Sequence, residues 1–77
     1  MIIKVKGNAI NVTTANTVNE STLVRIFATN AATITLAGGT AGTFTMAANQ
    51  VEIVEKLPAD TIAASAAVSC TPISYKG

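Results

Sequence analysis

The sequence predicts an all-β fold, a single small antiparallel β-sandwich or barrel of about six to eight short strands, with one short helical turn as an option near residues 61–67. Three observations lead there. β-Branched residues gather in short runs that alternate with polar ones. Asn, Gly, Pro and Ala-Asn pairs break those runs about every 8 to 12 residues. At 77 residues the chain has room for one domain, residues 1–77.

Ile2 to Lys6 alternates Ile3 and Val5 with Lys4 and Lys6, the pattern of a half-buried or edge strand with its charges outward. Gly7-Asn8 turns the chain into a second short strand with Ile10 and Val12 on one face, and a polar loop follows from Thr14 to Glu20. Thr22 to Thr29 is the most apolar run. It places Val24, Ile26 and Ala28 on one face and Leu23 and Phe27 on the other with Arg25 between them, so both faces are expected to be at least partly covered. Asn30-Ala31 suits a tight turn into Ala32 to Leu36, and the pair reads as a hairpin.

The Gly38-Gly39-Thr40-Ala41-Gly42 turn leads to a strand in which Thr43, Thr45 and Ala47 alternate with Phe44 and Met46. After Ala48-Asn49, Gln50 to Lys56 sets Val51 and Ile53 on one face and Val54 on the other, with Glu52, Glu55 and Lys56 keeping the run solvated. Pro58 cannot donate to a ladder, so Leu57 to Asp60 is a strand exit and turn. Thr61 to Ala67 is Ala-rich and can be capped by Asp60 or Thr61, which permits a helical turn; a loop is the alternative. Ala67 to Thr71 forms a strand that Pro72 interrupts, leaving Ile73 and Tyr75 as an edge segment.

Composition excludes most chemistry. The chain holds no His and no Trp, one Cys, 12% charged residues and a net charge of +1. No basic field exists for a nucleic acid and no acidic one for cations. Glu52 and Glu55 point to opposite faces of a strand, which separates the one close pair of carboxylates. Cys70, Ser65 and Ser69 lack an imidazole partner, and Lys56 or Lys76 would have to serve as base. The glycine cluster lacks the Lys-Ser/Thr ending of a phosphate loop. No enzyme, cofactor, metal, nucleic-acid or small-molecule site is therefore expected, and no signal or transmembrane segment is visible.

Of the 38 hydrophobic residues, 14 are Ala, and aromatics make up only 4% of the chain. Such a core is thin for its length. A single Cys70 closes no internal disulfide, and without His there is no credible zinc set, so association with other chains is the favoured supplement. An intermolecular Cys70 disulfide is the alternative to a small buried hydrophobe at that position. The twelve Thr residues, in pairs such as Thr33 with Thr35 and Thr43 with Thr45, place a ladder of hydroxyls on one sheet face.

The Thr-, Ala-, Val- and Gly-rich all-β layout, with Glu-Lys-Leu-Pro-Ala-Asp-Thr-Ile-Ala (Glu55 to Ala63) after a strand, resembles small virion proteins of tailed bacteriophages, most closely capsid decoration or cement proteins. Ile10 to Val18 and Ser21 to Phe27 carry the same likeness to a β-structured virion component. The resemblance implies a structural protein made in the host cytoplasm, located in the virion as many symmetric copies, and docked on the major capsid protein and on copies of itself. It carries over no functional residue. The interface expected from the residues themselves is strand addition by a terminal segment, through Ile2, Ile3 and Val5 or through Ile73 and Tyr75. The alternative function is a small phage tail or fibre module that binds a receptor or glycan through Thr and Asn side chains.

A fold that depends on partners has a concentration-dependent stability. Thermal unfolding of the isolated chain is expected to shift to higher temperature as protein concentration rises; a midpoint independent of concentration would contradict this.

Overall fold

Alternating apolar residues fold into eight strands in the computed structural model, which describes residues 3–39 and 41–75. They are β1 (Ile3–Val5), β2 (Ile10–Val12), β3 (Leu23–Ala28), β4 (Ala32–Ala37), β5 (Gly42–Met46), β6 (Gln50–Glu55), β7 (Thr61–Ala64) and β8 (Val68–Tyr75). One sheet has the order β1-β8-β3-β6, with β2 also paired to β8; the other has the order β5-β4-β7. All pairings between these strands are antiparallel. No helix among the described residues is long and apolar enough to cross a membrane.

The register shows how the two sheets arise. β3 pairs with β6 from Leu23 opposite Glu55 to Ala28 opposite Gln50, and β4 pairs with β5 from Ala32 opposite Met46 to Leu36 opposite Gly42. The register is unchanged across residues 29–31 and 47–49, so these four strands are one long ribbon bent in half. β7 and β8 follow the same bend beside β4 and β3, with Ser65 to Ala67 at the corner. There the Thr33 N–H donates to Ser65 Oγ at 2.9 Å and the Ser65 N–H donates to the Thr33 carbonyl at 3.0 Å. The first segment bends too: β2 lies along β8, and Asn16 then bridges to Ile62 of β7. Thr, Ala, Asn and Ser occupy the bend, most of them exposed, and Asn49 takes a φ of 63° there.

Folding the sheet over brings its inner faces together. Val24, Ile26 and Ala28 of β3 meet Ala32, Ile34 and Leu36 of β4, and Val12, Val18, Met46, Ile62, Val68 and Cys70 complete the buried cluster. Every other residue of β3 and of β4 points inward, as the alternation requires.

Four expectations are corrected. β3 and β4 lie in different sheets, so Asn30-Ala31 is a corner between layers and the hairpins are β4 with β5 and β3 with β6. Residues 61–64 form strand β7 rather than a helical turn or loop, because Ile62 is fully buried opposite Leu36 and tertiary burial outweighs the helix preference of Ala. Lys56 is buried and does not solvate its run. Finally, β8 continues through Pro72 and is an interior strand, with β1 and β2 on one side and β3 on the other.

An interior proline needs a gap in the ladder on the side of its missing N–H. Its carbonyl accepts from the Lys6 N–H at 2.8 Å, so the Pro72 nitrogen also faces the first segment. That segment bulges there: Val5 pairs with Ile73 and Ile10 with Cys70, leaving residues 6–9 opposite only Thr71 and Pro72. Gly7 permits the approach, since a Cβ on it would sit 3.1 Å from Pro72 Cγ.

Ile62→Ala is expected to destabilise the fold by about 2–5 kcal/mol despite raising local helix propensity. Urea unfolding measures it; a neutral effect would remove β7 from the core.

Candidate interaction face

The outer face of the five-stranded sheet is built from the residues that alternate with the core. On β3 these are Leu23, Arg25 and Phe27, all half-buried, and on β6 they are Val51, Ile53 and Glu55. Pairing sets them in rows. Val5, Ile73, Leu23 and Glu55 form one row, and Thr71, Arg25 and Ile53 the next. Ser69, Phe27 and Val51 form the third. Ile73 is 3% exposed yet lies outside the core cluster, because Val5 and Leu23 flank it on this outer surface. Val5 is 62% and Val51 41% exposed at the two edges. The face is mainly apolar, carries Arg25 near its centre with Glu55, Thr71 and Ser69 as its other polar members, and has no layer of this chain packed over it among the described residues.

The outer face of the three-stranded sheet is the opposite in character. Thr33 pairs with Thr45 and Thr35 with Thr43, while Ala63 and Thr61 continue the surface on β7. The expected threonine ladder thus stands on one face, exposed along β4 and β5.

At the open end, opposite the bend, two connections span the layers. Val18, Asn19 and Glu20 have φ of 52°, 57° and 53°, a left-handed turn that is costly for a β-branched residue. Burial of Val18 and a 2.7 Å bond from its N–H to Asn16 Oδ1 hold it. In the other connection Asp60 accepts from the Gly39 N–H at 2.8 Å, and Lys56 Nζ donates to the Leu57 carbonyl at 3.3 Å. Burial pushes the Lys56 amine below its ordinary range, while the nearby Asp60 and Glu20 carboxylates pull it back up. This polar set closes the sandwich mouth. A groove of about 280 Å³ beside it is lined by Lys6, Asn19, Glu20, Ser21 and Ser74 among others, and the Ser21 hydroxyl there is sealed from solvent with no hydrogen-bond partner.

Of the residues expected at an interface, Ile3 and Val5 lie on edge strand β1, where Ile3 pairs with Tyr75 and Val5 with Ile73. The two candidate terminal segments therefore pair with each other. Ile73 has no free strand edge, which rules out strand addition by the C-terminal segment. Ile2 lies outside the described residues, and Tyr75 is placed by its backbone register alone. Leu23, Phe27, Val51 and Ile53 were the residues whose role required tertiary structure: their alternation was visible, but that no further layer of the described residues packs over them was not. Cys70 is a buried hydrophobe opposite Ile26. Among the described residues, no group of three His, Cys, Asp or Glu side chains is placed to hold a metal ion.

Compared with known protein families, with curated proteins and with solved structures, the chain matches none.

Burial pushes the Cys70 thiol up to about 11. The unfolded thiol ionises near its ordinary value while the folded one keeps its proton, so the contribution is intact at neutral pH and is lost as pH rises toward about 11. Lys56, shifted downward, acts in the opposite sense and is common to a Cys70→Ala variant. The stability advantage of the wild type over Cys70→Ala is therefore expected to shrink by on the order of 2 kcal/mol between about pH 8 and pH 11. Denaturant unfolding across that range checks it.

Proposed function

We propose that the protein is a non-enzymatic structural component that docks on a larger protein shell through the outer face of its five-stranded sheet, as a capsid decoration or cement protein of a tailed bacteriophage does. The carrying observation is the contrast between its two exteriors. One is apolar with Arg25 near its centre, and the other is a threonine surface suited to water. A protein that leaves apolar rows uncovered gains by burying them on a partner, and aromatic and Arg side chains are the usual anchors of such contacts. Phe27 and Arg25 occupy those roles here. The virion setting rests on the resemblance of the sequence to decoration proteins, and the partner in that setting is the major capsid protein.

A second reading has its own observation. The directly opposed Thr33–Thr45 and Thr35–Thr43 pairs form a regular polar surface on which a tail or fibre module would bind a receptor or glycan. The two readings differ in copy number: decoration requires hundreds of copies over the head, and a tail module requires few at one vertex.

Labelled imaging and copy counting in purified virions test the setting. A Phe27→Glu variant tests the face, with folding verified by circular dichroism. Occupancy on the shell is expected to fall about tenfold or more, the effect of losing one anchor side chain, whereas Thr35→Ser leaves it unchanged. Loss with Thr35→Ser and not with Phe27→Glu would favour the threonine surface instead.

A further inference from the structure

We propose that copies of this chain join head to tail by strand pairing, with edge strand β1 of one copy added to edge strand β6 of the next. The inference deepens the reading of the protein as one tile of an assembly, and it concerns the sheet edges rather than the docking face. β1 and β6 are opposite ends of the same sheet, each paired on one side only. Each therefore presents a free row of backbone donors and acceptors.

Orientation and charge both favour this union. β1 and β3 are both antiparallel to β8, and β6 is antiparallel to β3, so β1 and β6 run in opposite directions. A second copy shifted sideways past β6, and slid four residues along the strands from the row that Val5 shares with Glu55 to the row of Val51, presents its β1 antiparallel to the first copy's β6, with outer faces on the same side. The β1 edge carries Lys4, with Lys6 just beyond it, and the β6 edge carries Glu52 and Glu55. Opposite charges on the two edges favour head-to-tail contact and oppose the pairing of like edges.

The pleat then selects the register. Ile3 and Val5 lie on the outer face of β1, as Val51 and Ile53 do on β6, while Lys4 and Glu52 both lie toward the inner side. Setting Lys4 opposite Glu52 places Ile3 opposite Ile53 and Val5 opposite Val51. All three pairs are favourable cross-strand types. Val5 and Val51, the two most exposed apolar side chains of the strands, cover each other. The row Phe27–Val51 of one copy then continues through Val5–Ile73–Leu23 of the next, an unbroken apolar line across the junction. Such a contact is heterologous, so it propagates to a third copy through the edges left free.

Cysteine trapping with two full-length variants tests the junction. Val5→Cys and Val51→Cys are mixed under mild oxidation; directly opposed positions, about 4.5–5.5 Å apart at Cβ, come within disulfide reach after small adjustment. Native Cys70 is buried and does not compete. The expected product is a disulfide dimer of unlike chains that neither variant forms alone. Sedimentation velocity at low salt adds a second readout: Lys4→Glu or Glu52→Lys weakens association about fivefold, and combining both in one chain restores it. A monomer at every concentration, or cross-links only between like chains, overturns the proposal. Neither measurement uses a capsid, so a failure of shell docking leaves the result intact, and absence of the cross-link with normal shell occupancy rejects the edge pairing alone.

Discussion

One bend line organises the molecule. Four long strand paths, residues 3–16, 23–36, 42–55 and 61–75, lie side by side and all fold at the same level, through 13–15, 29–31, 47–49 and 65–67. A single sheet of this length would leave its apolar face in water. Folding it in half buries that face against itself, which is how a chain with few aromatics obtains a core of Ile, Val and Ala.

The same fold-over explains where the polar connections lie. When the sheet closes, its far ends meet, and residues 17–22 and 56–60 must cross from one layer to the other there. Backbone groups in such crossings lack a ladder, and side chains satisfy several of them: Asn16 caps Val18, and Asp60 takes the Gly39 N–H. Gly38, at φ 116°, passes directly against Asp60, where no other residue fits without displacement. The buried Lys56 and Asp60 thus take part in closing the sandwich. Pro72 follows the same logic on the edge side: its missing donor is tolerated because the first segment bulges at residues 6–9, with Gly7 close against the proline ring.

A two-layer fold has two exteriors, and here they differ. The threonine pairs satisfy water on one side, whereas Leu23, Phe27, Val51 and Ile53 leave the other side apolar. The edges differ in sign as well, with lysine near one and glutamate on the other. The proposed docking and the proposed edge pairing both draw on that asymmetry of faces and edges.

The strand runs, their inward and outward alternation, the threonine ladder, the chain reversal between β4 and β5 and the buried nature of Cys70 were all legible in the sequence, because each depends on a period of two or on local turn chemistry. The partners of the strands were not. Asn30-Ala31 looks like a hairpin turn, yet it is a corner, since a local signal for reversal cannot say whether the chain returns in its own sheet or enters the next. Ala63 and Ala64 favour a helix locally, and only burial of Ile62 opposite Leu36 makes a strand there. Leu23 and Phe27 predict an apolar second face, but whether that face is covered depends on how many layers the chain can build. By itself, the sequence determined which side chains share a face. Tertiary structure alone decided which faces meet and which edges stay open, because those outcomes depend on contacts between residues far apart in the chain.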